Sequence, residues 1–187
     1  MPRITKVYTR TGDEGRTGLG SGRRVEKDAA RIDAYGEVDE LNSVLGLVRA
    51  QLAESPAAAV VARIQNELFH LGSDLCVPEE DKERLPVPVV REEHVRALEA
   101  WIDEMQAALE PLANFVLPAG APAAAGLHVA RAVCRRAERR VVGLARAERI
   151  GPWVIPYLNR LSDALFVAAR WENRRQGVPD VLWDSRA

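Results

Sequence analysis

Apolar residues recur in alternating steps of three and four along five segments of this sequence, from about residue 29 onward. The five stripes run from Val38 to Leu52, from Val61 to Leu75, from Val95 to Leu109, from Leu127 to Leu144, and from Val154 to Ala168. Residues three and four apart share a helical face, so each stripe forms one apolar seam along a helix. The period of two that marks a half-buried strand is absent from this region. The pattern therefore predicts five amphipathic helices.

Breaks that contain proline or glycine separate the five segments. They are Ser55-Pro56, the proline-containing segment Pro78–Val90, Leu117–Pro122, and Gly151-Pro152. Short connections between long helices favour antiparallel neighbours. We predict an all-α fold, a five-helix bundle with an irregular N-terminal loop, in a single domain spanning residues 1–187. Its predicted parts are the loop at 1–28, the bundle at 29–175, and a C-terminal extension at 176–187.

The segment before the first helix is rich in glycine and hydroxyl side chains. Its potential ligand-binding residues are Gly12, Gly15, Gly18, Gly20, Thr9, Thr11, Thr17 and Lys27. Glycines allow the backbone to expose successive N–H groups, which bind anions, and the hydroxyls and the lysine add further donors. The segment therefore suits a polyphosphate, although the usual GxxxxGK[ST] phosphate loop is absent. Its composition fits a flexible N-terminal arm equally well.

Aligned polar residues flank the seams of three predicted helices. These sets are Asp39, Asn42, Gly46 and Arg49 on the first helix, Arg131, Arg135, Glu138 and Val142 on the fourth, and Asn159, Asp163, Phe166 and Arg170 on the fifth. The run Arg135–Arg140 adds four guanidinium groups within two helical turns. Guanidinium groups suit phosphate oxygens because they donate in a planar, bidentate fork. The alternative is a solvated surface with Glu–Arg pairs inside each helix.

Charge and cysteine content exclude several classes of function. Lys and Arg number 26 against 27 Asp and Glu, so no basic field predicts a nucleic-acid or membrane partner. The two cysteines form no CxxC pair, and the three histidines have no metal-ligand spacing, which argues against a disulfide scaffold and a metal-binding bundle. The opening residues MPRITKVYTR lack the apolar core of a signal peptide. We expect a cytoplasmic protein.

Six blocks of sequence, taken in order, resemble one family across nearly the whole chain. They are YTRTGDEGRT, DAYGEVDELNS, FHLGSDL, NFVLPAG, LHVARAVCRRAER and YLNRLSDALFVAAR. Together they are similar to the corrinoid adenosyltransferases of the PduO type, which are ATP:cob(I)alamin adenosyltransferases. The resemblance implies a five-helix bundle that assembles into a homotrimer with active sites between adjacent subunits. One departure is Ala119, where the family commonly has a second glycine in LPGG.

The resemblance also implies roles for individual residues. ATP, with Mg²⁺, would contact Thr9, Arg10, Thr11, Gly12, Thr17, Gly18 and Lys27 of the loop, Arg135, Arg136, Ala137, Glu138 and Arg139 of the fourth helix, and Asn159 of the fifth. Glu138 is a candidate ligand for the magnesium ion carried by ATP. Asp39 and Arg131 would form a salt bridge across the subunit interface beside the corrinoid. Phe115 would occupy the lower face of the corrin ring, although a core position at the end of the third helix is the alternative.

The implied reaction transfers the 5′-deoxyadenosyl group of ATP to Co(I) of a corrinoid and releases triphosphate. Co(I) is itself the nucleophile, in agreement with a sequence that has no nucleophile–base motif. The catalytic residues would be Arg135, Asp39, Arg131 and Phe115, with Arg135 contributing most. A flavoprotein reductase and a B12-dependent acceptor enzyme are expected partners. The alternatives are a non-catalytic trimer that delivers adenosylcobalamin or senses nucleotide, and a purely structural bundle.

Overall fold

The computed structural model describes residues 8–52 and 54–186 and contains five long helices. They are α1 (Ala30–Gln51), α2 (Ala57–Cys76), α3 (Glu92–Gln106), α4 (Pro122–Ala145) and α5 (Val154–Arg175), preceded by the short strands β1 (Arg16–Gly18) and β2 (Arg24–Glu26), with one 3-10 turn at Glu79–Asp81. The predicted five-helix bundle is confirmed. Residues 1–7 of the predicted loop, and the last residue of the predicted extension, lie outside the described residues.

The five helices enclose one continuous apolar core. Helix α4 packs along α1 on one side and α5 on the other, while α2 packs on α1 and α3 packs on α5. The predicted seams supply the core, including the thiol-bearing Cys134. The third seam extends past its helix: α3 ends at Gln106, and Leu109 packs on the core from the following turn, ahead of Pro111. None of the helices within the described ranges is long and apolar enough to cross a membrane.

The opening segment contains a small antiparallel hairpin in addition to irregular backbone. Thr17 of β1 lies opposite Val25 of β2. Strands of three residues with one apolar side chain are too short to show alternation, so the sequence pattern did not predict them. Leu19 is buried, and the Gly20 N–H donates to the Cys76 carbonyl at 3.2 Å and lies 3.1 Å from its Sγ. The hairpin is therefore attached to the C-terminal end of α2.

The C-terminal extension is ordered over residues 176–186 and pairs with the loop between α3 and α4. The Leu117 N–H donates to the Val181 carbonyl at 2.8 Å. The Trp183 N–H donates to the Phe115 carbonyl, also at 2.8 Å. The extension therefore adds a short antiparallel pairing to a loop that has no other regular structure.

A single glycine determines the turn at the end of this loop. Gly120 has a φ of 112°, and a Cβ at this position would lie 2.1 Å from Asn173 Oδ1. The same oxygen accepts a hydrogen bond from the Ala121 N–H at 3.0 Å. Ala119 is not among the described residues with positive φ. The departure from the family pattern therefore falls where an ordinary side chain fits, and the position that requires glycine has kept it.

We expect Gly120→Ala to destabilise the protein by at least about 2 kcal/mol, because it adds left-handed strain to a clash with Asn173. The matched variant Ala119→Gly should cost at most about 1 kcal/mol, through unfolded-state entropy alone. Urea unfolding of both variants measures the difference. Equal losses of stability would show that Gly120 is not the conformational requirement of this turn.

Candidate functional site

A groove with a volume of about 760 Å³ lies between α3, α4 and α5. Its walls include Phe115, Arg131, Arg135, Arg160, Asp163 and Phe166. Phe115 is 75% exposed and contacts the Trp183 ring edge to face, with 6.0 Å between ring centroids. The alternative that Phe115 is a core residue at the end of the third helix is therefore wrong. An exposed aromatic ring at a groove is available to a large, flat, apolar ligand.

Two arginines one turn apart on α4 point into this groove with unused hydrogen-bonding capacity. The buried Arg131 Nε has no hydrogen-bond partner among the described residues. The exposed Arg135 side chain likewise makes no hydrogen bond or ion pair to any residue in the described ranges. Buried guanidinium donors normally have acceptors, so Arg131 Nε is free to bind an acceptor other than the described residues.

The rest of the arginine run faces other parts of the molecule. Arg136 Nε pairs with Glu37 at 2.6 Å, and its Nη2 pairs with Glu40, both on α1. The hydrogen bonds that Arg136 donates to Glu40 and Glu37 raise its pKa. Arg140 lies 3.8 Å from Asp33, also on α1. These two arginines therefore join α4 to α1.

The remaining predicted residues of the fourth and fifth helices divide between the surface and the core. Glu138 accepts a hydrogen bond from Asn159 Nδ2 at 3.1 Å, so these two side chains meet between α4 and α5. Glu138 and Arg139 together line a cleft of about 410 Å³. The Ala137 side chain is fully buried in the core. Glu138, Asn159 and Arg139 are therefore accessible to a ligand, whereas Ala137 is not.

The predicted loop residues form a second cluster. Thr9 Oγ1 and Thr11 Oγ1 are 2.8 Å apart, and the backbone oxygen of Thr11 accepts a hydrogen bond from Arg24 at 2.6 Å. The Lys27 ammonium packs on Gly12, where an added Cβ would lie 3.1 Å from Nζ. Hydroxyl and ammonium donors thus lie together near a bare stretch of backbone.

Backbone conformation is unusual beside this cluster. Arg10 has a φ of 60°, the left-handed region that non-glycine residues rarely enter. Its guanidinium lies 5.8 Å from the centre of the Tyr8 ring. The other two predicted loop residues, Thr17 and Gly18, belong to β1 and are placed by the hairpin.

The loop cluster and Asp39 make no direct polar contact with the α4 residues described above in the described part of the chain. No hydrogen bond or ion pair within the described ranges joins the loop cluster to Arg135, Glu138 or Arg139. Asp39 is also separate from Arg131: it lines a different cleft, of about 340 Å³, between α1 and α2. Within the described residues, Asp39 and Arg131 therefore line separate clefts.

His128 is a buried imidazole next to the groove. It is 3% exposed, contacts the ring of Phe166 with 6.0 Å between centroids, and both nitrogens lack a hydrogen-bond partner in the described part of the chain. Burial lowers the pKa of His128, the charge of Arg131 lowers it further, and Asp180 opposes this shift. The imidazole is therefore held in its neutral form.

One residue of the groove wall and one residue that packs on that wall were missed in the sequence. Arg160 pairs with Glu99 on α3 at 3.0 Å and with Asp163 at 3.2 Å, so it joins two walls of the groove. Trp183 contacts Phe115. The i, i+3 spacing of Arg160 and Asp163 could have indicated their pairing from the sequence. The contacts of Glu99 with Arg160 and of Trp183 with Phe115 join distant parts of the chain, so no sequence pattern indicated them.

The chain is similar to cobalamin and corrinoid adenosyltransferases over nearly its whole length. The family model for cobalamin adenosyltransferase matches residues 7–172. A corrinoid adenosyltransferase of Bacillus subtilis (strain 168) is 46% identical over 186 residues, covering 97% of this chain and 94% of that protein. A cobalamin adenosyltransferase of Cupriavidus metallidurans is 48% identical over 183 residues, covering 97% of this chain and 95% of that protein.

Solved structures are similar over the same length. A variant PduO-type ATP:corrinoid adenosyltransferase from Lactobacillus reuteri, complexed with cobalamin and ATP, superimposes with a TM-score of 0.92 at 38% identity. The alignment covers 96% of this chain and 97% of that chain. Another variant of that enzyme, complexed with ATP, has a TM-score of 0.89 at 37% identity, covering 95% and 100% of the two chains.

Neutral His128 should make stability depend on pH in the acid range. The unfolded imidazole takes up a proton as the pH falls through about 6.5, while the folded one resists because its pKa is lowered. The unfolded state then binds more protons, so stability present above this pH is lost below it, by up to about 1.4 kcal/mol per pH unit. We expect His128→Leu to flatten the curve of unfolding free energy between pH 5 and 7, roughly the titration range of an unshifted histidine. His70→Leu is the control, and an unchanged slope in His128→Leu would contradict the assignment.

Proposed function

This chain belongs to the cobalamin adenosyltransferase family and transfers the 5′-deoxyadenosyl group of ATP to the Co(I) centre of a corrinoid, and we propose how its own residues perform this reaction. The predicted enzyme class is confirmed, and ATP and the corrinoid are its substrates. The non-catalytic alternatives are not favoured, because the relatives are named as transferases over nearly their whole length. The observation that carries the residue assignment is the unpaired Arg135 guanidinium in a groove beside the exposed ring of Phe115.

The reaction requires position and charge from the protein. Co(I) attacks the ribose 5′ carbon with its electron pair, a Co–C bond forms, and the C–O bond to the triphosphate breaks. Triphosphate leaves with that bond's electrons. Arg135 and Lys27 stabilise the negative charge that grows on the leaving group, and the hydroxyls of Thr9, Thr11 and Thr17 position it. Arg135 is the main contributor because none of the described residues of its own chain competes for its donors.

We place each complete site between two chains. The loop cluster of one subunit and the α4 cluster of its neighbour would bind ATP together, with Arg10, Gly12 and Gly18 shaping the loop side. Asp39 of one subunit would pair with Arg131 of the next. The buried, unpartnered Nε of Arg131 and the separation of Asp39 from it within one chain support this arrangement. Contacts between two different faces close into a ring, which fits a homotrimer.

The other α4 and α5 residues have smaller parts in this proposal. Arg139 and Glu138 contact the nucleotide from the cleft that they line, and Asn159 contacts it next to Glu138, to which it is hydrogen-bonded. Arg136 acts through α1, because Glu37 and Glu40 already occupy its donors. Ala137 contributes only by packing, since its side chain lies in the core.

Magnesium fits this site only together with ATP. The described residues include no group of three or more His, Cys, Asp or Glu side chains that could hold a metal ion. Mg²⁺ commonly binds one or two carboxylates and completes its shell with phosphate oxygens and water. Glu138 would supply the single carboxylate, and the ion would add positive charge to the triphosphate.

Phe115 would serve the step that precedes transfer. A one-electron donor must reduce Co(II) to Co(I), and an axial ligand on the lower face of the corrin hinders this reduction. We assign the ring of Phe115 to that lower face, where it excludes the ligand. Its 75% exposure and its place in the groove wall support the assignment.

The cellular setting is also part of the proposal. We place the protein in the cytoplasm, where a reducing environment suits the free thiols of Cys76 and Cys134. A flavoprotein reductase would supply the electron for Co(II), and a B12-dependent enzyme would accept the product. We propose neither a nucleic-acid nor a membrane partner, in line with the balanced charge of the chain.

Arg135→Ala should lower the rate of adenosylation by about 10²- to 10³-fold, because one preorganised donor to a developing charge is lost. The assay mixes protein, ATP, Mg²⁺ and chemically reduced cob(I)alamin, and follows the corrinoid spectrum and triphosphate release. Arg96→Ala is the control, since Arg96 is exposed and pairs only with Glu92 on the same helix. A native rate in Arg135→Ala would overturn the role given to this arginine.

Charge reversal tests whether the site lies between chains. Asp39→Arg and Arg131→Asp should each lose most activity, because each leaves a charge of the proposed pair uncompensated. Co-expression of the two variants should restore on the order of a quarter of the native sites in randomly mixed trimers. Activity of purified mixed oligomers measures this. Mixed oligomers as inactive as the single variants would contradict the intersubunit pair.

A further inference from the structure

We propose that Asn173, together with Arg170, is a positioning residue that sets where the ring of Phe115 lies in the groove. The proposal rests on the lower-face role assigned to Phe115 above. Neither residue lines the proposed lower face itself. Both belong to the last two turns of α5, and both reach the loop that carries Phe115 through hydrogen bonds.

The loop cannot position Phe115 by itself. Residues 107–121 join α3 to α4 with no helix or strand apart from one bridge to the C-terminal extension. The Phe115 ring is exposed and contacts Trp183, which is itself 47% exposed. Two exposed rings bury too little apolar surface to hold a long loop in one place. The position of the ring therefore depends on what holds the loop backbone.

Asn173 holds the C-terminal end of that loop. Its side chain is 1% exposed, and its Oδ1 accepts the hydrogen bond from the Ala121 N–H at 3.0 Å. Its Nδ2 donates to the Ala119 carbonyl at 3.3 Å. The amide thus mimics a backbone segment and pairs with both sides of the turn at Gly120.

Arg170 holds the N-terminal end of the same loop. Its Nη2 donates to the Glu110 carbonyl at 3.0 Å, and its Nε pairs with Asp180 at 2.8 Å. Asp180 also accepts from Asn173 Nδ2 at 3.4 Å. One carboxylate of the extension therefore joins both residues, and the extension continues to the Trp183 contact with Phe115.

Asn173 and Arg170, both mostly buried on α5, therefore fix the two ends of the loop. Through Asp180 they also fix the C-terminal extension, whose Trp183 packs on the Phe115 ring. If the Asn173 amide is removed, the Ala121 N–H and the Ala119 carbonyl lose their partner, and the turn can move. A displacement of about 1 Å at a catalytic group can lower a rate by on the order of 10²-fold. The loss should appear where Phe115 acts and not in ATP binding.

The experiment compares Asn173→Ala with Glu172→Gln. Glu172 is the adjacent residue and is equally buried, but it bonds Ser55 in the α1–α2 connection and Arg175, away from the Phe115 loop. The first readout is the fraction of cob(II)alamin, with ATP bound, that has lost its lower ligand, measured by absorption and electron paramagnetic resonance. The second is turnover from cob(II)alamin with a low-potential one-electron reductant, set against turnover from chemically prepared cob(I)alamin.

We expect Asn173→Ala to lower the ligand-free fraction and the turnover from cob(II)alamin by on the order of 10-fold. Its ATP affinity and its turnover from cob(I)alamin should stay near native, because Co(I) needs no lower ligand removed. Glu172→Gln should reduce thermal stability and leave the ligand-free fraction unchanged. Arg170→Lys, which retains the charge next to Asp180, should fall between native and Asn173→Ala. A native ligand-free fraction in Asn173→Ala would overturn the proposal.

Phe115→Ala separates this proposal from the one it rests on. A native ligand-free fraction in Phe115→Ala would reject the lower-face role of that ring, whatever Asn173→Ala does. A reduced fraction in Phe115→Ala with a native fraction in Asn173→Ala would reject the positioning role alone. The double variant should be no worse than Phe115→Ala, and an additive loss would mean that Asn173 acts independently of the ring. If Asn173→Ala does not fold, Arg170→Lys provides the same comparison.

Discussion

Helix α4 packs between α1 and α5, and its contacts with these two helices determine which of its charged side chains remain available to a ligand. A helical turn of 3.6 residues sends consecutive side chains about 100° apart, so neighbours in the run Arg135–Arg140 face different parts of the molecule. Arg136 meets the carboxylates of α1, and the next residue, Ala137, faces the core. Arg135 faces the groove between α3 and α5. The core seam thus decides which arginine is available to a ligand.

This geometry is also the reason for proposing that each site lies between two chains. The hairpin is attached at the end of α2, with Gly20 bonded to Cys76, and the hydroxyls and ammonium of the loop lie next to this hairpin. Arg131 and Arg135 line the groove on the side of α3 and α5. A rigid bundle cannot bring two of its faces together. In the proposed assembly a second copy does so and offers an acceptor to Arg131 Nε, which is buried without one among the described residues.

The parts of the structure that follow a local helical period could be predicted from the sequence. The five seams, from Val38 on α1 to Ala168 on α5, pack in the core because their spacing matches a helix, and the predicted breaks lie between helices except that Pro122 is the first residue of α4. Contacts between residues that are distant in the chain could not be predicted. The hairpin at Arg16 and Arg24 has strands too short for a pattern, and no local signal pairs residues near Trp183 with Phe115. The split of the arginine run required knowing which helix lies on each side of α4.

The contacts that sequence patterns miss are concentrated around the residue that would touch the corrin. An aromatic ring that must stay exposed to a substrate cannot be held by burial in the core, which is the usual source of precise placement. The polypeptide uses directional bonds instead: Asn173 on the turn, Arg170 on the opposite end of the loop, and Asp180 between them. Such bonds depend on angle as well as distance, so three side chains can fix the position of a loop that apolar packing does not hold. The substrate supplies the nucleophile, so the protein contributes chiefly through placement, and Gly120 is retained where the Asn173 amide leaves no room for a side chain.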